Sequence, residues 1–309
     1  MEYRQLGKSG LQVSVIGLGT NNFGRRVDAK GTDTVVSHAL DVGINLVDTS
    51  NSYGGTLSEE YIGRALKGKR DRAIIATKVS SRMGDGPNQA GNSRQHIMTE
   101  VENSLRRLGT GYIDLYQIHF PDRNTPIDET LRALDDLVHQ GKVRYIGCSN
   151  FTAWQVCEAI WTSQTLGVAP FISVQPAYSM LDRRVETELV PFCVQYGLGI
   201  LPYYPLANGF LTGKYRRGEP VPEGTRLAEN DRGMFTDKMF DLLEGLERFC
   251  AEREHTVLEL AFAWLLTNPG VSCVIAGATK AEQIVANSKA AGWRLTDDEM
   301  GEIDRLLTA

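Results

Sequence analysis

Apolar positions along the chain follow two alternating rhythms. Short runs rich in aliphatic and β-branched residues predict strands over Val13–Leu18, Ile44–Val47, Ala73–Thr77, Ile113–Ile118, Val143–Cys148, Ile172–Gln175, Gly199–Pro202 and Cys273–Ala276. Between them, apolar residues recur every three to four positions. This spacing predicts helices over Thr32–Asp41, Ser58–Leu66, Arg94–Leu108, Ile127–Gln140, Thr152–Leu166, Arg183–Tyr196, Val257–Thr267 and Ala281–Ala290. The stripe Ile97, Val101, Leu105, Leu108 is one example. Strands that alternate with helices in this way imply a parallel sheet covered by helices. Eight such units are also the number that closes a (β/α)8 TIM barrel, with an open doubly wound sheet as the rival architecture.

Three segments fall outside the repeat. Residues 2–14 read as an N-terminal hairpin about Lys8–Ser9–Gly10, placed to plug the barrel floor. Residues 206–254 form an insertion after strand 7 of the barrel, ending in a helix near Lys238–Arg253. Residues 295–307 read as a C-terminal helix, with Thr296 as its cap and Glu299 three residues on. No linker or low-complexity stretch divides the chain, so residues 1–309 read as a single barrel domain.

Composition narrows the picture. A chain of 309 residues with 42% hydrophobic content is long enough to build a core without staples. Its net charge of −5 argues against nucleic acid or an anionic membrane as partner. The cysteines number five and contain no CxxC pair, which excludes a disulfide framework and structural zinc, leaves no metal site, and points to a reducing, cytoplasmic setting. The N-terminus MEYRQLGKSG lacks the apolar stretch of a secretion signal, and no apolar run reaches membrane-spanning length.

Barrel enzymes react at the C-terminal ends of their strands. Asp48 in INLVDTS, Lys78 in IIATKVS and His119 in LYQIHFP stand at three consecutive strand ends, with Tyr53 five residues beyond Asp48. Alone, each has an ordinary reading: a turn aspartate, a solvated lysine, a packing tyrosine, a structural histidine. Together they match one reaction. A carbonyl that accepts a hydride needs a proton, which a tyrosine can donate, although its unperturbed pKa of ~10 is high for the task. A neighbouring Lys78 ammonium lowers that pKa, Asp48 orients the ammonium, and His119 hydrogen-bonds the carbonyl oxygen. Lys78 as a Schiff-base lysine of a barrel aldolase is a competing use. The stretch GLGTNNFG opens like a GxGxxG fingerprint, but Asn22 occupies the third glycine position, which speaks against a dinucleotide Rossmann domain. Gly17 and Gly19 read instead as barrel-mouth glycines that let backbone approach a ligand.

The segments DTSNSYGGTLSEEYIGRAL, LRRLGTGYIDLYQIHFPD and GKVRYIGCSNF resemble those of the aldo-keto reductase superfamily, most of all its bacterial members similar to potassium-channel β subunits. The resemblance implies NADPH-dependent reduction of aldehydes or ketones by a tetrad of Asp48, Tyr53, Lys78 and His119. Channel subunits often carry asparagine in place of His119, so the histidine implies an active reductase; a nucleotide-sensing regulatory subunit with little turnover is the alternative.

The resemblance further implies that Ser149, Asn150 and Gln175 hold the nicotinamide carboxamide and that Tyr203 stacks on its ring. Gly19, Thr20 and Asn21, with Leu206, Asn208 and Gly209, are also assigned to the cofactor. Lys214 and Arg226 are implied to reach its phosphates, and Gly277, Thr279, Gln283 and Asn287 complete the set, at a strand-to-helix turn suited to anions. Ala286 replaces a glutamate that often contacts adenine. The family's lysine-serine-arginine set for the 2′-phosphate is absent, where Gly277, Ala278 and Gln283 stand. NADPH or NADP⁺ is therefore expected on the strength of Lys214, Arg226 and Lys280, with NADH possible.

Residues Leu206–Arg226, rich in glycine, are expected to clasp the cofactor, with Lys214, Arg216, Arg217 and Arg226 repelling one another until phosphates arrive. The partner is a small carbonyl compound. Phe23, Phe120 and Tyr204 are expected as its walls, with Trp154 as wall or core, and the polar loop Ser80–Ser93 as a further side of the mouth.

Overall fold

A computed structural model describes residues 1–308. Strands β1 (Tyr3–Gln5) and β2 (Gln12–Ser14) pair antiparallel as the anticipated hairpin. It sends Leu6 and Val13, both fully buried, into a cluster with Leu46, Ala76, Leu115, Leu201, Cys273 and Ile275. This cluster draws on strands all around the sheet, so the hairpin does plug one end. Gly7 makes the fit possible: its φ is +59°, and a Cβ there would lie 2.6 Å from the Gly197 carbonyl oxygen.

The remaining strands are β3 (Ile16–Gly19), β4 (Leu46–Asp48), β5 (Ile74–Val79), β6 (Ile113–Ile118), β7 (Val143–Ser149), β8 (Phe171–Gln175), β9 (Gly199–Ile200) and β10 (Val274–Gly277). They form one sheet of eight parallel strands in the order β10-β3-β4-β5-β6-β7-β8-β9. The sheet curls until its edges meet: Ile200 N–H donates to Gly270 O at 2.9 Å, Ser272 N–H to Ile200 O at 3.0 Å and Ile275 N–H to Pro202 O at 2.8 Å. That closure makes the architecture a (β/α)8 barrel and removes the open-sheet alternative.

Helices α1 (Ala29–Asp41), α2 (Leu57–Ala65), α3 (Arg94–Leu108), α4 (Ile127–His139), α5 (Ala153–Leu166) and α6 (Leu189–Tyr196) cover the barrel in turn. In the insertion lie a short α7 (Arg226–Glu229) and α8 (Asp237–Ala251), followed by α9 (Val257–Thr267), α10 (Ala281–Ala290) and α11 (Asp297–Thr308). Local signals set several boundaries. Ser93 accepts from His96 N–H to open α3, and Gly109 at φ +61° closes it. Thr296 and Glu299 form a reciprocal box before α11, with Thr296 N–H on Glu299 Oε2 at 2.8 Å and Glu299 N–H on Thr296 Oγ1 at 3.3 Å.

Three expectations are corrected. The run Val13–Leu18 is two strands, split at Val15, because its first half pairs within the hairpin. The helix expected from Arg183 begins only at Leu189, after a 3₁₀ turn over Arg184–Glu186. Pro191 explains this: it tolerates a first-turn position but has no N–H to bond a preceding turn. The strand expected to reach Pro202 stops at Ile200 for a related reason, since a proline cannot donate to a ladder. No helix of the described residues is long and apolar enough to cross a membrane. Among those residues, no cluster of metal-ligating side chains occurs and all cysteines are free.

Candidate active site

Parallel strands bring their C-terminal ends to one rim, so adjacent strands β4, β5 and β6 place Asp48, Lys78 and His119 side by side. Lys78 is fully buried and Asp48 nearly so. Nζ of Lys78 donates to Asp48 Oδ1 at 2.8 Å, to Oδ2 at 2.7 Å and to the Thr49 carbonyl at 2.8 Å. Asp48 Oδ1 also accepts from Gln175 Nε2 at 2.8 Å and Gln117 Nε2 at 3.3 Å. A buried ion pair persists only when its charges are compensated in this way. Burial alone would push the Lys78 ammonium down, but Asp48 and then Tyr53 hold its pKa above the ordinary value, so it stays charged.

Tyr53 sits on a tight turn over Tyr53–Thr56 that Gly54 and Gly55 make with φ of 59° and 65°. Its ring centroid lies 5.2 Å from Lys78 Nζ and 5.8 Å from the His119 ring, edge to face. Burial raises the Tyr53 pKa, and the downward pull of Lys78 does not overcome it. The expectation of a net lowering is therefore corrected: Lys78 acts in the anticipated direction, but the depth of the site outweighs it. His119 is depressed to about 3, first by burial and then by Lys78, so its imidazole is neutral. Nδ1 lies 3.3 Å from Ser50 Oγ, and the ring stacks on Phe120 at 4.3 Å.

Hydrogen bonds tie the neighbouring strand ends together. Ser149 Oγ donates to Gln175 O at 2.7 Å. Asn150 Nδ2 donates to His119 O at 2.9 Å, and Tyr203 Oη donates to Asn150 Oδ1 at 2.7 Å. Above these groups opens a cavity of about 1460 Å³. It gathers all the residues assigned to a cofactor: Gly19, Thr20 and Asn21; Ser149, Asn150 and Gln175; Tyr203, Leu206, Asn208 and Gly209; Lys214 and Arg226; and Gly277, Thr279, Gln283 and Asn287. Asp48, Tyr53 and His119 line it as well, with Lys78 directly beneath.

Phe120 and Tyr204 face this cavity, but Phe23 does not. Phe23 is fully buried in the hydrophobic core, where its ring does more than it could at a wet rim. Trp154 is 62% exposed on α5 and borders neither the cavity nor the core. Of the loop Ser80–Ser93 only Ser81 reaches the cavity, because the loop folds back on itself through Met83 N–H to Gln89 O and Gly91 N–H to Ser80 O.

The insertion corrects another expectation. Arg216 pairs with Glu247 at 2.6 Å, and Arg217 with Asp237 at 2.8 Å, Asp241 at 2.5 Å and Glu244 at 2.9 Å. These arginines fasten the loop to α8, whose carboxylates already neutralise them. Lys214 and Arg226 remain for the cavity. Arg226 is half-buried, its Nη2 donates to Asn21 Oδ1 at 3.3 Å, and its guanidinium lies 5.1 Å from the Tyr204 ring. Burial lowers its pKa, helped by Arg26, Arg232 and Arg25 and opposed by Tyr204, yet a guanidinium stays charged. Sequence reasoning passed over Arg25, Arg26, Ser52 and Glu229, which also line the cavity, and Arg26 pairs with Glu229. The paired arginines Arg25 and Arg26, in the same GLGTNNFGRR run as the mouth glycines, were the available signal.

The cavity has features that suit a dinucleotide. Asn208 Oδ1 is buried without a hydrogen-bond partner, on a backbone at φ +60°. Thr279 N–H, at the entry to α10, is satisfied only by the Gln283 side chain at 2.7 Å, which an arriving phosphate can displace. Lys214 and Arg226 have no carboxylate partner among the described residues.

The sequence profile of the Aldo/keto reductase family matches residues 15–308. The chain is 38% identical over 300 residues to a probable voltage-gated potassium channel subunit beta of Arabidopsis thaliana, covering 94% of this chain and 91% of that protein. It is 36% identical over 317 residues to the aldo-keto reductase YhdN of Bacillus subtilis, covering 99% and 94%. With the L-glyceraldehyde 3-phosphate reductase of Escherichia coli strain K12 it shares 32% identity over 319 residues, covering 99% and 92%. A barrel with this rim, matched along almost its whole length, belongs to the aldo/keto reductase family of oxidoreductases.

Proposed function

We propose that the protein reduces aldehydes or ketones to alcohols with NADPH, and that Tyr53 delivers the proton. The observation that carries this reading is the convergence of Tyr53, a neutral His119 and the buried Asp48–Lys78 pair at one place in a dinucleotide-sized cavity. Bound NADPH would supply the hydride that the carbonyl carbon accepts. Ser149, Asn150 and Gln175 would hold its carboxamide and Tyr203 its ring, while Lys214, Arg226 and the turn Gly277–Thr279 would take its phosphates.

The chain's own groups account for the rest. In the tautomer whose Nδ1 accepts from Ser50 Oγ, His119 would present Nε2–H to the carbonyl oxygen and withdraw charge from it. Its low pKa keeps it a neutral donor at working pH. Tyr53, whose raised pKa keeps it protonated, passes the Oη proton to the oxygen as charge develops there. Lys78 stabilises the phenolate that remains, and Asp48 holds Lys78 in position. The Arg226–Asn21 contact and the Arg26–Glu229 pair hold the insertion against the loop after β3, an arrangement that would restrict water around the bound cofactor. The free cysteines fit a cytoplasmic location.

A regulatory nucleotide-binding subunit is the second reading, favoured by the plant relative's description as a channel subunit. Loss of NADPH absorbance over a panel of aldehydes that includes glyceraldehyde 3-phosphate separates the two. Turnover supports the reductase; tight NADPH binding with no turnover of any aldehyde supports the regulatory subunit.

A further inference from the structure

We propose that Arg25 is a substrate-recognition residue, and that the carbonyl compound this protein reduces carries an anionic group, a phosphate or a carboxylate. The inference rests on the reductase reading above and specifies its substrate class.

The cavity carries more positive charge than its own acids answer. Its lining cations are Arg25, Arg26, Lys214, Arg226 and Lys280, against the carboxylates Asp48 and Glu229. Asp48 is occupied by Lys78 and Glu229 by Arg26. Arg25, Lys214, Arg226 and Lys280 are thus left without a carboxylate partner among the described residues, on a protein whose net charge is −5. Like charges held together at a rim repel, and the arrangement is stabilised by whatever anion enters.

The elements that carry these cations differ. Lys214 and Arg226 lie on the insertion and Lys280 at the start of α10, beside the residues assigned to cofactor phosphates. Arg25 lies in the loop after β3, near enough to Arg226 to lower its pKa, and that loop also meets the turn that carries Tyr53. That loop is fixed: Arg26 N–H and Val27 N–H both donate to Asn22 O, at 2.9 and 3.1 Å, and Gly24 N–H donates to Val27 O at 2.9 Å. Asn22 faces Gly277, but Gly24 packs on the turn that carries Tyr53, so closely that a Cβ at Gly24 would lie 3.3 Å from Gly54 Cα and 2.6 Å from Leu57 Cβ. Arg25 follows directly, lines the same cavity as Tyr53, and makes no ion pair of its own among the described residues. A fixed loop that packs on the turn of the proton donor and presents an unpaired guanidinium to the same cavity suits an anion borne by the substrate, and a guanidinium grips phosphate and carboxylate alike through paired hydrogen bonds.

The test measures kcat/KM for glyceraldehyde 3-phosphate against glyceraldehyde, and for succinic semialdehyde against butanal, in the wild-type enzyme, Arg25→Gln and Arg25→Lys, with the KM for NADPH measured in each. The charged member of at least one pair should be preferred by roughly tenfold or more, the scale of a hydrogen bond to a charged group. The favoured pair identifies phosphate or carboxylate. Arg25→Gln should bring that ratio close to one through KM, and Arg25→Lys should restore part of it. No preference in the wild type, or a ratio untouched by Arg25→Gln, overturns the proposal; so does a raised KM for NADPH with the ratio intact, which assigns Arg25 to the cofactor. Calorimetric titration of 2-phosphoglycolate, an unreactive dianion-bearing probe, onto the NADP⁺-loaded protein reads the same site without turnover. Binding that Arg25→Gln weakens by roughly tenfold supports the anion site even if the reductase reading fails, and equal binding in both proteins overturns it.

Discussion

The rim of strands β4 to β6 and the insertion above it are built by opposite means. At the rim, Asp48 and Lys78 sit on the strands themselves, are nearly or fully buried, and have fixed hydrogen-bond partners. In the insertion, Ala207, Asn208, Gly209, Gly213, Gly218, Gly224, Arg232 and Gly233 all have positive φ, and Arg217 is held by acids at the surface of α8. The first region uses regular structure to hold charges that water cannot reach. The second uses irregular backbone to bring cations and unpaired polar atoms around a ligand. A substitution at the rim should therefore damage fold and rate together, whereas one in the insertion should change affinity and leave the fold intact.

The largest effect should come from Lys78→Met, which leaves Asp48 buried with no counter-charge. Removal of one partner of such a pair costs about 3–5 kcal/mol, readable by urea unfolding. Lys78 has its pKa raised on folding, so the pair's contribution is fully present below the unfolded value of ~10.4 and is lost only as pH climbs through the higher folded value. The same variant removes the ammonium that pulls Tyr53 down, so the alkaline limb of reduction should move to higher pH. A limb that stays in place would separate Lys78 from Tyr53. His119, at about 3, should add no limb near the ordinary histidine value of ~6.5.

A smaller effect, confined to binding, is expected at the insertion. Arg226→Ala should weaken NADPH by roughly tenfold, the low end for a hydrogen bond to a charged group, and leave NADH little changed. Equal loss for both cofactors would mean that Arg226 acts by bracing Asn21 and Tyr204 and not by pairing with the 2′-phosphate. The smallest effect should be that of Trp154→Ala. Its side chain is 62% exposed and away from the cavity, so stability should move by about 0.5 kcal/mol or less and kcat/KM should hold. A marked rise in KM would return Trp154 to the substrate wall.

Much of this contrast was legible in the sequence because the rim depends on local signals. Alternating strand and helix patterns locate the strand ends, and the strand ends locate Asp48, Lys78 and His119. The pieces that were misread depend on distance or depth. Nothing near Arg216 and Arg217 in sequence announces the acids of α8, twenty or more residues on. Phe23 follows the mouth glycines whether its ring points to the cavity or to the core, and only packing decides. The net shift of Tyr53 depends on how much burial opposes Lys78, which no spacing of residues reveals. Pro191, by contrast, was a readable signal that the helix expected from Arg183 starts later, at Leu189.

The central claim is that Tyr53 hands its proton to the substrate oxygen while the rest of the rim holds it in place. Tyr53→Phe keeps the ring and removes only the hydroxyl, so its turnover, measured beside its NADPH affinity, tests that claim most directly. The account predicts unchanged NADPH binding and a loss of turnover of ~10²–10⁴-fold, the usual contribution of a positioned acid. A variant that binds NADPH normally and keeps more than about a tenth of wild-type turnover, far short of that loss, would contradict it.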